Sequence, residues 1–273
     1  MTHKIGFLID MDGVVYKGAN PIDGSVGILN RLIENEVPVL FLTNNSQKTP
    51  RDMAYKLNKM GVNAQQDHIF TCAMSTASFL AKQKPNGTAY VIGEGGLHLA
   101  LHNNGYSIVD DDPDYVVIGE GRSVNFENLE KATKMVAKGA KLIATNLDTS
   151  CPVEDGIRPG CGAITALVEK ATGRKAFYVG KPSGIMMRLA RKELNLRTEQ
   201  VVMIGDTMYT DILGGVEMGY KTVLVMSGGT SMQELESYSY QPDHVIESIA
   251  DLPSLFPGAF EESVESGLRE MSV

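Results

Sequence analysis

The sequence contains no long apolar run and has fewer basic than acidic residues. No stretch of roughly 18 or more apolar residues occurs, so a transmembrane helix is not expected. In the N-terminal segment MTHKIGFLIDMDGVVY, carboxylates interrupt the apolar run before it is long enough to form the core of a signal peptide. With 25 Lys and Arg against 33 Asp and Glu, the net charge of −8 argues against binding to a nucleic-acid polymer. By the same reasoning, it argues against small anionic ligands.

Cysteine is also scarce. Cys72, Cys151 and Cys161 are widely spaced, which does not fit a disulfide framework. Neither Cys151 nor Cys161 has a second Cys or a His nearby to complete a zinc site. Thiols of this kind are typical of a reducing compartment, so we expect a cytoplasmic protein.

The chain alternates short apolar runs with amphipathic segments. This pattern predicts an α/β fold with a doubly wound, Rossmann-like parallel sheet, whose ligand lies beyond the carboxyl ends of the strands. At about 150 residues per domain, the 273 residues predict two domains. The predicted strands are KIGFLID, VPVLFLTN, VVMIGD and KTVLVMS, and the predicted helices are Ser25–Glu34, Thr49–Met60 and about Thr210–Met218.

The middle of the chain repeats one unit. TAYVIGEGG and DYVVIGEGR each form an apolar run that ends in Gly-Glu-Gly, and the run AKLIATN and a helix over 162–172 follow. We therefore predict a second α/β domain over residues 82–178, inserted into a first domain of residues 1–81 and 179–273. GEGGLH resembles a dinucleotide-binding fingerprint with His98 in place of the last glycine. A turn that approaches another segment closely is favoured over nucleotide binding.

Two acids stand at the end of the first predicted strand, in IDMDG. Asp10 and Asp12 are two residues apart, and Gly13 lets the chain turn away. Buried carboxylates are costly without partners, so packing alone does not explain them. One carboxylate can bind a metal and attack a substrate while the other reaches the leaving group. The alternative is a solvated turn.

Two further strand ends carry groups suited to phosphate. Thr43 ends VLFLT, and its hydroxyl with the following backbone N–H groups can hold phosphoryl oxygens, although a helix N-cap is the simpler role. Lys181 stands between Gly180 and Pro182, and its ammonium can neutralise carboxylates and bind phosphate. The alternative for Lys181 is an ordinary surface lysine.

The fourth strand end is VVMIGDTMYTD. Gly205 allows a close backbone approach, Asp206 can bind Mg²⁺, and Asp211 can orient a metal-bound water or Lys181 from behind. Mg²⁺ is the cofactor that this set of acids predicts.

The four motifs IDMDG, LTNN, GKPS and GDTMYTD resemble the signatures of the haloacid dehalogenase superfamily of phosphohydrolases. The sequence is most similar to the NagD-type phosphatases, which carry a large α/β cap domain between the second and third motifs. The resemblance covers nearly the whole chain. The residues after about Phe256 are not matched, and this acidic tail predicts a short helix or a loose end.

The resemblance implies a mechanism and a set of site residues. Asp10 would form an aspartyl-phosphate, and Asp12 would protonate the leaving oxygen and then activate water. Mg²⁺ would be held by Asp10, Asp206 and the backbone carbonyl of Asp12, with Asp211 behind them. The residues implied to contact the phosphoryl group, the substrate or metal waters are Thr43, Asn44, Lys181, Thr207, Met208, Tyr209 and Thr210.

The cap implied by the resemblance would close over the leaving group and select the substrate. Its candidate specificity residues are Asn146, Asp148, Cys161 and Gly162, in ATNLDTS and PGCGA. The resemblance points first to nucleoside monophosphates such as UMP, then to sugar phosphates and phosphoglycolate. By analogy it also implies self-association through the cap.

The competing hypothesis is a non-catalytic module that binds a phosphorylated metabolite in the same pocket. Every catalytic residue type is present, which favours the small-molecule phosphatase. Mg²⁺ and Lys181 would reverse the local sign of the acidic site, so the net charge does not exclude phosphate monoesters. We expect neither a nucleic-acid polymer nor a membrane as partner.

Overall fold

The structure, a computed structural model, describes residues 5–122, 124–153 and 156–261. Residues 262–273, which make up most of the acidic tail, lie outside the described part, so the predicted short helix or loose end falls there. Just before them, Pro257–Ala259 form one 3₁₀ turn.

Strands and helices alternate along the described residues. The strands are β1 (Gly6–Asp10), β2 (Tyr16–Lys17), β3 (Asn20–Pro21), β4 (Val39–Thr43), β5 (Ile69–Thr71), β6 (Thr88–Ile92), β7 (Ser107–Ile108), β8 (Tyr115–Ile118), β9 (Lys141–Ala144), β10 (Ser150–Val153), β11 (Gly156–Pro159), β12 (Phe177–Tyr178), β13 (Val201–Gly205), β14 (Lys221–Val225) and β15 (His244–Ile246). The α-helices are α1 (Ser25–Glu34), α2 (Pro50–Lys59), α3 (Cys72–Gln83), α4 (Gly95–Asn103), α5 (Phe126–Lys138), α6 (Cys161–Thr172), α7 (Gly184–Glu193), α8 (Leu213–Met218), α9 (Met232–Ser237) and α10 (Leu252–Leu255). Shorter 3₁₀ turns occur at Gln66–His68, Thr198–Gln200 and Ile249–Asp251. Among the described helices, none is both long and apolar enough to span a bilayer.

The larger sheet has six strands in the order β15-β14-β13-β1-β4-β5. β1 runs parallel to β13, β13 to β14, and β14 to β15. Every residue of β4 and β13 is buried, which is the pattern of a parallel sheet covered on both faces. Because β1 and β13 are parallel neighbours, the residues at their carboxyl ends lie at the same edge of the sheet.

A second sheet has five strands in the order β12-β9-β8-β6-β7, with parallel pairing throughout. Alternate residues of its strands enter two separate clusters, as expected for a strand period of two. One cluster joins α3 and α4 to the face that carries Ala89, Val117 and Ile143. The other joins α5 and α6 to the face that carries Val116 and Leu142. Helices therefore cover both faces of this sheet.

The chain divides into two compact units. The first contains the described residues of Met1–Phe41, Tyr55–His68 and Arg191–Val273, and the second contains those of Leu42–Ala54 and Ile69–Ala190. The five-stranded sheet belongs to the second unit. The inserted domain expected over residues 82–178 stays a prediction, although every strand of that sheet falls within it.

The α/β fold class is confirmed, and several element boundaries agree closely with the sequence pattern. The helix predicted over Ser25–Glu34 is α1, and α2 and α6 begin within a residue of their predicted starts. The helix predicted from about Thr210 was only partly correct. A π-helical turn, Met208–Ile212, comes first, and α8 continues from it.

We expect Leu97→Ala to lower the free energy of unfolding by about 2–5 kcal/mol, because Leu97 is fully buried in the α3–α4 cluster and its loss leaves a cavity. Urea denaturation followed by circular dichroism measures this change. Leu99→Ala is the matched control, since Leu99 lies on the same helix but is 44% exposed. Equal losses of stability for both variants would contradict the packing described for α4.

Candidate active site

Three carboxylates of the first unit come together beside the carboxyl ends of β1 and β13. One oxygen from each of Asp10, Asp206 and Asp211 lies within 4.8 Å of the other two. Asp206 is 6% exposed and Asp211 is fully buried. Within the described residues, this is the group of acidic, His or Cys side chains that is arranged to hold a metal ion.

Asp211 reaches the cluster because of the backbone around it. It lies in the π-helical turn, a feature often found at functional sites. The Thr207 N–H donates to Asp211 Oδ2 at 3.3 Å. A Cβ on Gly205 would overlap the Asp211 side chain, so this close approach requires glycine. Asp211 was expected to support the metal ligands without being one of them. In the structure, one of its oxygens belongs to the cluster itself.

Asp206 is held by a loop that the sequence analysis missed. In the loop after β14, the Gly229 N–H donates to Asp206 Oδ2 at 2.6 Å, and the Thr230 N–H donates to the Asp206 carbonyl at 3.1 Å. A Cβ on Gly228 would overlap the Asp206 carboxylate. The signal was available in the run Ser-Gly-Gly-Thr after a buried strand, because such runs often make close backbone contacts.

The loop after β1 also packs against Asp206. Gly13 has φ +79°, and a Cβ there would overlap the Asp206 carboxylate. The Ser227 hydroxyl donates to the Gly13 carbonyl at 2.7 Å, which joins the two loops. Glycines from both loops therefore let the backbone surround one carboxylate.

Asp12 is placed differently from Asp10. Its side chain is exposed and hydrogen-bonds to the hydroxyl of Tyr16, which is 1% exposed. Burial raises the pKa of Tyr16, and the charges of Asp12 and Asp10 raise it further, so Tyr16 remains a hydrogen-bond donor. The Lys56 ammonium lies 3.4 Å from the centre of the Tyr16 ring, and burial lowers the pKa of Lys56. Asp12 thus has a partner that holds its orientation.

Thr43, Asn44 and Lys181 belong to the second unit. Lys181 is 3% exposed, so the alternative of a surface lysine is wrong. The Asn44 side chain pairs with the Lys181 backbone in both directions, donating to its carbonyl at 3.2 Å and accepting from its N–H at 2.9 Å. Thr43 Oγ1 accepts the Asn45 N–H at 3.1 Å, and α2 begins only at Pro50, so Thr43 is not a helix cap.

The same asparagine contacts two predicted specificity residues. Asn44 Nδ2 donates to the Asp148 carboxylate at 3.1 Å, and Asn146 Nδ2 donates to the Asn44 carbonyl at 2.7 Å. The Asp148 N–H donates to Asn146 Oδ1 at 3.0 Å, which completes the network. The side-chain amide of Asn44 is therefore bound to protein groups, and its position in turn determines where the Lys181 backbone lies.

Cys161 and Gly162 support this loop from α6. Cys161 is fully buried, its thiol donates to the Ile118 carbonyl at 3.2 Å, and burial raises its pKa. The Gly162 N–H donates to the Asp148 carbonyl at 2.9 Å, and a Cβ on Gly162 would overlap the Leu147 carbonyl. A close backbone approach does occur at Gly162, and its partner in the structure is the Leu147–Asp148 backbone.

The loop Thr207–Thr210 exposes one large side chain. Met208 is fully buried, and its N–H donates to the Thr230 hydroxyl at 3.2 Å. Thr210 is also buried, at 9% exposure, whereas Tyr209 is 51% exposed. Of the four residues expected to contact a substrate, Tyr209 is the most accessible.

Gly96, which follows the first Gly-Glu-Gly turn of the middle segment, and Gly119, which begins the second, lie against one loop. The Gly96 N–H donates to the Gln47 carbonyl at 2.9 Å, and a Cβ on Gly119 would lie 2.8 Å from the Ser46 hydroxyl oxygen. The expected close approach to another segment is confirmed. The Gly96 N–H already has a protein acceptor, so this N–H is not available to a dinucleotide.

Sequence comparisons match most of the chain. The profile of the haloacid dehalogenase-like hydrolase family matches residues 7–107, and that of the HAD-hydrolase-like family matches residues 178–252. The dihydroxyacetone phosphatase of Corynebacterium glutamicum is 43% identical, with 95% of this chain and 94% of that protein aligned. The acid sugar phosphatase of Staphylococcus saprophyticus is 41% identical over 92% of this chain and 98% of its own. The ribonucleotide monophosphatase NagD of Escherichia coli K12 is 38% identical over 92% and 99%.

Solved structures give the same result. The p-nitrophenyl phosphatase from Archaeoglobus fulgidus superposes with a TM-score of 0.87 at 36% identity, covering 92% of this chain and 99% of its own. NagD from E. coli K-12 superposes with a TM-score of 0.86 at 38% identity, covering 92% and 98%. The chain therefore belongs to the haloacid dehalogenase-like hydrolases, in the branch of the NagD-type phosphatases, and is an enzyme of the phosphoric monoester hydrolase class.

Proposed function

We propose that the protein is a Mg²⁺-dependent phosphatase of small phosphorylated metabolites that acts through an aspartyl-phosphate. The observation that carries this proposal is the cluster of Asp10, Asp206 and Asp211, whose oxygens lie within 4.8 Å of one another. Like charges at this spacing, two of them buried, call for a cation.

The donor set fits Mg²⁺, since this ion prefers carboxylate oxygens and water. Asp10, Asp206 and Asp211 would hold it, and by the family resemblance the backbone carbonyl of Asp12 would be a further ligand. When bound, the ion supplies positive charge that stabilises the phosphoryl oxygens during transfer.

The carboxylates divide the chemistry between them. The Asp10 carboxylate attacks phosphorus, forming an O–P bond as the bond to the leaving oxygen breaks. Asp12 donates its proton to that oxygen, then accepts one from the water that hydrolyses the aspartyl-phosphate. The exposure of Asp12 and its hydrogen bond to Tyr16 support this role.

We assign Thr43, Asn44 and Lys181 to the phosphoryl oxygens on the strength of the family motifs. The burial of Lys181, and the hold of Asn44 on its backbone, favour a fixed ammonium with a defined task. Residues 82–178 would act as the cap that selects the leaving group, with Asp148 as a contact residue and the fully buried Asn146 as the residue that positions it. We also assign Tyr209, in the loop Thr207–Thr210, to substrate contact on the strength of the family motif, since its side chain is 51% exposed.

For the substrate, we favour sugar or triose phosphates. The relatives named for dihydroxyacetone phosphate and for sugar phosphates are 43% and 41% identical to this chain. The segment 127–176, which includes the proposed cap residues, contains no Phe, Tyr, Trp or His on which a base could stack, and Tyr209 is the aromatic side chain among the proposed contacts. Nucleoside monophosphates are the second candidate, because a relative of 38% identity is named as a ribonucleotide monophosphatase.

We place the enzyme in the cytoplasm, with self-association through the cap as a family analogy. Its three cysteines are free thiols, as a reducing compartment favours. The net charge of −8 is unfavourable for binding a nucleic-acid polymer.

Metal removal gives the first test. With Mg²⁺ present, we expect the protein to release p-nitrophenol from p-nitrophenyl phosphate, and with excess EDTA we expect release to stop and to return when Mg²⁺ is restored. Absorbance of the product measures the rate. No metal-dependent release would favour the non-catalytic binding module instead.

Asp10→Asn should lower kcat by roughly a thousandfold or more, because an amide is a poor nucleophile. Circular dichroism should show an intact fold. Asp23→Asn, which changes an exposed carboxylate of the same unit, should keep full activity. Near wild-type activity in Asp10→Asn would show that another group attacks phosphorus.

Gly228→Ala should weaken Mg²⁺ binding by about tenfold or more, because the added Cβ displaces the Asp206 carboxylate. Calorimetric titration of the protein with Mg²⁺ measures the affinity. Gly27→Ala is the control, since no atom lies within 4 Å of a Cβ at that helical position. Unchanged affinity in Gly228→Ala would indicate that Asp206 is not a metal ligand.

A further inference from the structure

A buried carboxylate in the second unit has no place in the proposed chemistry. Glu120 follows β8 and is 5% exposed. Burying a charge is costly unless it is paired and hydrogen-bonded, and Glu120 meets both conditions. Its Oε2 accepts from Gln47 Nε2 at 3.2 Å and from Arg158 Nη2 at 3.3 Å. Its Oε1 accepts from the Cys151 thiol at 3.0 Å.

These donors come from two segments that are far apart in sequence. Gln47 belongs to the loop after β4, and the same loop's Ser46 accepts the Glu120 N–H at 2.8 Å. Cys151 and Arg158 are cross-strand partners in the β10–β11 hairpin. Burial and the neighbouring Glu120 raise the pKa of Cys151 to about 12, which keeps the thiol protonated as a donor. Glu120 therefore ties the hairpin to the loop after β4.

The loop after β4 carries the groups that we assign to phosphate. It begins with Asn44, which holds the Lys181 backbone and contacts Asp148. The hairpin begins at Ser150, two residues after Asp148. An anchored hairpin would thus place Arg158 beside residues that we propose to contact substrate.

The Arg158 side chain is suited to donate hydrogen bonds to a ligand. Its side chain is 23% exposed, and within the described residues its guanidinium hydrogen-bonds to Glu120 through Nη2. A guanidinium has five N–H donors, and a carboxylate behind it fixes its direction. The nearby acids Glu120 and Asp148 disfavour an acidic leaving group. Hydroxyl groups fit better, because they accept from Arg158 and can donate to a carboxylate.

We propose that Arg158 is a specificity residue for hydroxylated, uncharged leaving groups of the polyol or sugar type, and that Glu120 is the positioning residue that orients it. This inference rests on the proposed phosphatase function. It identifies the substrate class through a side chain outside the family motifs.

The test compares two kinds of substrate. The hydroxylated substrate is the one of dihydroxyacetone phosphate, glycerol 3-phosphate and ribose 5-phosphate that has the highest kcat/KM. The comparison substrate is p-nitrophenyl phosphate, whose leaving group carries no further hydroxyl that Arg158 could bind. Arg158→Lys keeps the charge but loses the guanidinium donors. We expect KM for the hydroxylated substrate to rise about tenfold with kcat little changed, and KM for p-nitrophenyl phosphate to stay within about twofold. Arg188→Lys, at an exposed position of α7, should change neither value.

Glu120→Gln tests the positioning role. It should raise the same KM in the same direction, Glu120→Asp should restore part of the loss, and the Glu120→Gln/Arg158→Lys double variant should be no worse than Arg158→Lys alone. Thermal melting separates these effects from unfolding. If Glu120→Gln does not fold, Arg158→Lys still decides the proposal.

Several outcomes would overturn this inference. One is that Arg158→Lys changes KM equally for both kinds of substrate or leaves KM for the hydroxylated substrate unchanged. Another is that the wild-type enzyme cleaves p-nitrophenyl phosphate but none of the hydroxylated substrates. A wild-type protein with no Mg²⁺-dependent activity on any substrate would contradict the proposed function itself.

Discussion

Mutual repulsion among Asp10, Asp206 and Asp211 is the constraint around which the first unit is built. With their oxygens within 4.8 Å, the carboxylates repel one another unless hydrogen-bond donors or a cation compensate. The structure supplies backbone N–H groups to Asp206 and to Asp211. Glycines remove the side chains that would otherwise occupy this space, so the carboxylates gain partners without losing room for an ion.

In the second unit, the side-chain amide of Asn44 holds a buried lysine in place. Lys181 is almost fully buried, and the Asn44 side chain fixes its backbone from both sides. The same amide contacts Asp148, so one residue links a proposed phosphate-binding group with a proposed specificity group. A substitution at Asn44 would therefore disturb the positions of both Lys181 and Asp148.

Sequence reasoning predicted that several residues of the candidate site lie at strand ends. Asp10 and Thr43 end buried strands, and Asp206 directly follows one, because apolar runs and the polar residues that end them are visible in the chain. Contacts between distant segments were not predictable. Gln47 and Glu120 are 73 residues apart, and nothing in either neighbourhood signals the other. The π-helical turn was missed because its sequence also fits an α-helix.

The net charge of −8 is a poor guide to this site because a ligand responds to local charge. An excess of acids in a sequence can be solvated on the surface, where water and salt screen it. Here some of the acids are buried, and each buried acid creates a demand for positive partners. Asp206 and Asp211 meet that demand with N–H groups and the proposed Mg²⁺, and Glu120 meets it with Arg158. Buried carboxylates thus determine where cationic groups stand, and those groups are what a phosphorylated, hydroxylated substrate would recognise.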